Sequence, residues 1–302
     1  MQAAKSSHNA AQDPTSPPHN RMKKPPSSPS QIAPTLVDAE AGDAKAQRAV
    51  QSVEVGGRLL LTLAAHATAM TLKDLAAGAG LPAARAHPYL VSFGKLGLIE
   101  QDAGTGRYAL GPAALQLGLS CLHQLDPMKV AVPVAERLAA STDQSVIIAL
   151  WGNLGPTVVR MIEARQPLHV NMRAGTVMSV LGTATGRAFA AALPGKILEE
   201  ALAGPMGRFS PADSLGAKEL AAELQSAREE MQAHGVTRAL GRPVPSVNAF
   251  SAAAFDHEGH VALVITALGH ADHFDAAWDS AMAVAVREAA AEVSRRLGFA
   301  TV

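Results

Sequence analysis

The stretch "LPAARAHPYLVSFGKLGLIEQDAGTGRYALG", Leu81 to Gly111, constrains the fold more than any other part of the chain. Its first half carries apolar residues at helical spacing, with Tyr89, Leu90 and Phe93 directed inward. Its second half, "GLIEQD", "AGTG" and "RYALG", reads as strand, Gly-containing turn and strand. Upstream, "SVEVGGRLLLTLAAHA" (Ser52 to Ala67) places Val55, Leu59, Leu60 and Leu63 on one helical face, with Gly56 and Gly57 weakening its first turns. In "TLKDLAAGAGL", Thr71 is an N-cap three residues before Asp74, Leu72, Leu75 and Ala76 form a buried stripe, and Gly78 and Gly80 mark the end. Pro82 suits the first position of the third helix. Three short helices followed by a hairpin make a winged helix-turn-helix. Pro88 conflicts with it, because a proline inside a helix removes one backbone bond and costs about 3 kcal/mol. Either the helix kinks at Pro88 or its first turn stands apart.

A recognition helix fits the major groove of B-DNA and reads base edges with outward polar side chains. Arg85 and His87 are the candidate base readers. Ser92 and Lys95 are placed at phosphates, and Arg107 at the wing tip suits a phosphate or the minor groove. Thr71 and Tyr89 complete the candidate DNA-facing set. From Gln51 to Pro112 there are five basic and four acidic side chains, a net of +1 and a weak electrostatic footprint. A whole chain with 26 Lys+Arg against 26 Asp+Glu does not coat nucleic acid by charge alone, so any contact must be local.

The remaining length supports a second unit. "PAALQLGLSCLHQL" (Pro112 to Leu125) reads as a linker helix with Leu115, Leu119 and Leu122 in register for a dimer contact, and with Cys121 as inert core. "PMKVAVPVAERLAAST" reads as a helix interrupted at Pro133. Strands are expected at "QSVIIALWG", "PTVVRMIEA" and "LHVNMRAG", and helices at "GTATGRAFAAAL", "PGKILEEALAG" and "AKELAAELQSAREEMQAHG". "VNAFSAAAFD", the turn "HEGH" and "VALVITALG" form a hairpin, and a helix over about Ala276 to Leu297 closes the chain. The fold class is therefore α+β, with a sensor-like second domain. The expected organisation is a disordered tail over 1–47, the winged helix-turn-helix over 48–111, the linker helix over 112–126 and the sensor domain over 127–302. The Pro- and Ser-rich tail carries Arg21, Lys23 and Lys24, read as a solvated segment rather than a DNA arm.

A single cysteine excludes a disulfide framework and a multi-cysteine zinc site, and fits a reducing cytoplasm. No run of about 18 apolar residues is present, so no membrane span is expected, and the N-terminus lacks an apolar signal core. His257, His260, His270 and His273 cluster with Asp256, Glu258, Asp272 and Asp275. They fall in a hairpin turn and a loop, where polar residues are the default, so no metal and no cofactor is expected. Patterns for a nucleophile elbow, a zinc protease helix or a P-loop are missing, which argues against an enzyme.

Taken together, "SVEVGGRLLLTLA", "LKDLAAGAGLPAARAHPYLVSFGKLGLIEQD…GRYALGP", "VLGTATGRAFAAALP" and "HGVTRALGRPVPSVNAFSAAAFDHEGHVALVITALG" resemble the IclR family of bacterial transcriptional regulators, from about Val50 to the C-terminus. Pro88 departs from that family, as does the lack of Ser or Thr near Ala84 and Arg85. The resemblance implies a GAF-like effector-binding domain, a homodimer or homotetramer on double-stranded operator DNA, and a small-molecule effector. It carries the ligand-contacting positions onto Val170 and Met178, onto Ala184 and Thr185 in the turn opening "GTATGRAF", and onto Val247, Ala249, Thr266 and Leu268. Thr183 and Asn248 are nearby polar candidates. With few hydroxyls and no cation in that lining, an aromatic or otherwise apolar-bodied metabolite is expected. The alternative function is a ligand-binding or enzymatic sensor with a degenerate DNA head. A third is a winged helix that holds a protein partner.

Overall fold

The computed structural model describes residues 50–165, 168, 170, 172–203 and 216–299; the tail expected over 1–47 lies outside them. The first elements are α1 (Gln51–Ala64), α2 (Leu72–Gly78), α3 (Ala83–Lys95), β1 (Ile99–Gln101) and β2 (Tyr108–Leu110). Val55, Leu59 and Leu63 recur every four residues on α1 and are buried against Leu75, Ala76, Ala86 and Leu90. Gly56 is buried on the same helix because α3 comes close: an added Cβ would stand 2.8 Å from a Phe93 ring carbon. Thr71 caps α2, accepting from the Asp74 N–H, as the sequence suggests. The hairpin pairs Ile99 with Leu110 and Gln101 with Tyr108, and two backbone bonds between Met70 and Tyr108 tie it to the start of α2.

Neither proline divides its helix, which overturns the interruption expected at Pro133 and the separate first turn considered at Pro88. α3 is continuous through Pro88, and α5 (Pro127–Thr142) is continuous through Pro133. The carbonyls that lose their bonds belong to Ala84 and Lys129. Both of these residues and both prolines are exposed, so water serves the orphaned oxygens. Pro82 also differs from expectation: it is the N-cap of α3, with ψ 142°, rather than its first helical residue.

After α4 (Pro112–Gln124) and α5 come β3 (Ser145–Gly152), β4 (Gly155–Ile162), α6 (Ala184–Ala192), α7 (Gly195–Ala203), α8 (Ala217–His234), β5 (Thr237–Leu240), β6 (Val247–Phe255), β7 (Val261–His270) and α9 (Ala281–Arg296). The strands form an antiparallel sheet in the order β4-β3-β7-β6-β5. Both faces are covered, so the strands are apolar almost throughout. Val146, Ile148, Phe250, Ala252, Leu263 and Ile265 face a core shared with α5 and α9. Ile147, Ala149, Ala249, Ala253, Val264 and Leu268 face the other way, toward α6 and the segment before it. Most of α6 is buried, and its Ala, Thr and Gly residues let it lie close on the sheet.

Three further expectations are corrected. The described residues of "LHVNMRAG" form no strand; only Val177, just beyond, bridges to Thr157. Cys121 is exposed on α4, a helix with no buried residue, because its apolar stripe faces nothing among the described residues. The last helix starts at Ala281 instead of Ala276, since Ser280 caps it through the Ala283 N–H.

Candidate functional site

The nucleic-acid face is built on α3. Ala86 and Leu90 are buried, and Tyr89 and Phe93 are half-buried against the same core. Tyr89 therefore serves packing first and is poorly placed for DNA. At roughly 100° per residue, Ala84, Pro88, Val91 and Lys95 form the ridge opposite that core. Arg85 and Ser92 lie on one flank of the ridge and His87 on the other. Arg85 and His87 thus stand on opposite flanks of the helix. Three other candidates are engaged locally. Thr71 donates to Asp74 Oδ2 at 2.7 Å, Ser92 Oγ donates to the Pro88 carbonyl at 3.0 Å, and Arg107 donates to the Ala69 carbonyl at 3.0 Å. At the wing tip, Asp102 accepts from the Thr105 hydroxyl and from the N–H groups of Thr105 and Gly104. The Thr105 hydroxyl is the main cause holding the Asp102 carboxyl below its ordinary range.

The second site is a narrow cavity, with about 50 Å³ of free space, on the α6 face of the sheet. Thr183, Ala184 and Thr185 supply one wall, from the N-terminus of α6. Val247 and Ala249 of β6 and Thr266 and Leu268 of β7 form the floor, since alternate residues of a strand share a face. Val170 and Met178 close another side. All nine positions expected from the sequence thus border one space. Asn248, on the opposite parity of β6, does not line it; its Oδ1 accepts from the Gly241 N–H.

The polar groups of this cavity are few and defined. Thr183 accepts from the Gly186 N–H at 2.9 Å and donates to the Ser179 carbonyl at 2.8 Å. The Thr185 and Thr266 hydroxyls are 2.8 Å apart, and Thr266 reaches Ser251 at 2.6 Å, a buried chain of three. Among the described residues, the N–H groups of Ala184 and Thr185 have no acceptor, as expected for the first turn of a helix. Sequence reasoning missed Arg242, the one charged side chain in the lining, together with Pro243 and Val244 beside it. They lie in the loop between β5 and β6, where no periodicity signals a role. The expectation of a cavity without a cation is corrected accordingly.

The candidate histidines do not gather into one cluster. Asp256, Glu258 and His260 bring ligand atoms within 4.8 Å of one another at the exposed β6–β7 turn, where Asp256 accepts from the N–H groups of Glu258 and His260. His270 and His273 sit apart from them, with ring centroids 6.3 Å from each other.

A winged helix followed by this sheet, with α6 seated on its inner face, can be compared with known proteins. The profile of the IclR helix-turn-helix domain matches residues 52–103, and that of the bacterial transcriptional regulator IclR C-terminal domain matches 119–295. The chain belongs to the IclR family of bacterial transcriptional regulators. IclR-family relatives include the HTH-type transcriptional regulator KipR of Bacillus subtilis, 26% identical over 80% of this chain and 94% of that one. The glycerol operon regulatory protein of Streptomyces griseus is 27% identical over 83% and 98%. Among solved structures, Pseudomonas aeruginosa HmgR superposes with a TM-score of 0.74 at 33% identity, over 84% of this chain and all of that one. Agobacterium tumefaciens repressor BlcR shares the fold, with a TM-score of 0.69 at 20% identity. The IclR-family assignment makes this a transcriptional regulator with a helix-turn-helix DNA-binding domain and a C-terminal effector domain. No described helix is long and apolar enough to cross a membrane.

Proposed function

We propose that this chain is a one-component regulator whose affinity for double-stranded operator DNA is set by a small molecule bound on the α6 face of the sheet. The observation that carries the reading is the cavity itself, where a helix N-terminus with two unpaired amides and one guanidinium converge over an apolar floor. That arrangement suits an apolar-bodied organic acid, aromatic or aliphatic, with its carboxylate between Arg242 and α6. The ligand acts only if it binds one arrangement of the reading heads better than the other. The domains divide near residues 48–111, 112–126 and 127–302. The exposed leucines of α4, Leu115, Leu119 and Leu122, pair two copies so that two α3 helices meet two half-sites. Arg85, on one flank of α3, is the foremost base reader, with Lys95 on the outer ridge, His87 on the opposite flank and Arg107 on the wing. No catalytic role, metal or cofactor is assigned, and the chain acts in the cytoplasm.

The test is fluorescence anisotropy of the full chain on duplex DNA from immediately upstream of its own gene, over a salt series. The expected result is competitor-resistant binding with a steep salt slope, lost in Arg85→Ala. Binding equal to that for random duplex at every salt would sink the DNA reading. A thermal-shift screen of aromatic and aliphatic carboxylic acids follows, in which a stabilising acid should lose its effect in Thr185→Phe and Arg242→Gln. The internal engagement of Thr71, Ser92 and Arg107 favours a second reading, a sensor domain with a degenerate DNA head; it predicts a ligand shift without operator binding.

A further inference from the structure

A larger cleft lies elsewhere on the C-terminal domain, beyond the end of β5. That strand stops at Thr237, opposite Ser251, whereas β6 continues to Phe255. Among the described residues no strand pairs with Ala252–Phe255 on that side. α9 stands across the gap, and the space between them measures about 330 Å³. Its walls are apolar: Met231 from the end of α8, Ala253 and Phe255 from β6, Ala291 from α9, and Phe299, whose ring centroid is 5.3 Å from that of Phe255. Ser294 Oγ accepts the Phe255 N–H at 3.0 Å, so α9 closes the strand edge at its far end.

Two guanidinium groups border this apolar space, and among the described residues no carboxylate does. The stem of Arg287 lies on Gly235, where a Cβ would come within 2.7 Å of its Cδ, and its head donates to the His234 carbonyl at 3.0 Å. Arg295, about 12 Å further along α9, is exposed, and its side chain makes no hydrogen bond or ion pair among the described residues. A basic residue in the last turn also offsets the helix dipole, but Arg296 beside it already does so. An apolar body would fill the space over Phe255 and Phe299, and its charge would meet the free guanidinium.

We propose that this cleft is a second ligand site, separate from the α6 cavity, and that it takes an apolar-bodied monocarboxylate with the carboxylate at Arg295. The experiment titrates octanoate and its uncharged isostere octanol into the full-length Thr185→Phe chain by calorimetry, so that the α6 cavity is closed in every sample. The expected result is octanoate binding at least tenfold tighter than octanol. Arg295→Gln should shrink that preference to threefold or less, and Ala291→Trp should weaken both ligands at least tenfold, with melting by circular dichroism confirming that each variant is folded. The proposal is overturned if octanoate does not bind the Thr185→Phe chain, or if Arg295→Gln leaves the preference intact. It is equally overturned if Ala291→Trp breaks a dimer measured by sedimentation, which would show the cleft covered by a second copy. None of these results bears on the α6 cavity, so the two readings stand or fall separately.

Discussion

Gly186 and Arg187 show how single residues hold the ligand cavity in shape. Gly186 lies so close to the Ser179 and Val180 carbonyls that an added Cβ would collide with backbone, which cannot swing aside as a side chain can. Alanine normally favours a helix over glycine by about 1 kcal/mol. Here the collision outweighs that gain, and Gly186→Ala is expected to destabilise the chain by about 1–3 kcal/mol in guanidinium unfolding; a neutral or stabilising result would show that α6 can lift off the sheet. Arg187 leaves α6 in the opposite direction. Buried to 5% exposure, it donates to Glu223 and Glu230 at 2.7 Å and to Ser226 at 3.1 Å. Glu230 also accepts the Arg238 N–H, so one guanidinium links α6, α8 and β5. Arg187→Met should cost about 3 kcal/mol by leaving Glu230, 20% exposed, without its partner. Adding Glu230→Gln should recover part of that loss, and an additive double mutant would contradict the pairing.

At the scale of elements, the prolines give the sharpest test. Pro88 sits on the solvent side of a complete helix, so Pro88→Ala restores a bond to Ala84 without disturbing the core, and should stabilise the winged helix by about 1–3 kcal/mol. An unchanged denaturation midpoint would show that α3 already adapts to the ring at no cost. In the wing, the lowered Asp102 carboxyl means that its turn is favoured above the ordinary carboxylate range and loses that support as pH falls through the depressed value. A carboxyl NMR titration should place Asp102 below a typical aspartate, and Thr105→Ala should return it upward. Most elements were legible in the sequence because periodicity and caps carry them. β5 was not, since four residues between Gly235 and Gly241 are too short for alternation to register. The strand expected at "LHVNMRAG" failed because alternation there reflects residues turned toward the cavity, not ladder pairing; Val170, Met172 and Met178 pack around Ile147, Val158 and Leu268.

For the whole molecule, the exposed leucines of α4 are the surface that the proposed assembly would cover. Leu115 and Leu117 are each 64% exposed, an apolar surface that a lone chain gains nothing by presenting. Leu115→Glu combined with Leu119→Glu should move the sedimentation coefficient from a dimer or tetramer to a monomer and weaken operator binding at least tenfold. A wild-type monomer at micromolar concentration would remove this argument. That the nine candidate positions border one cavity was legible only through resemblance, because apolar alternation cannot separate a cavity floor from plain core. Arg242 escaped even that, since a loop has no period to betray it.

The alternation of β6 has a consequence for how such proteins diverge. Phe250, Ala252 and Ala254 hold the core with α5 and α9, while Val247 and Ala249 meet the cavity. A substitution at Val247 or Ala249 alters the cavity and leaves the packing on the far side of the strand intact. Under the proposed function, ligand preference would then be rewritten in single steps, and a lineage of such regulators would change the compound it answers to without passing through an unfolded ancestor.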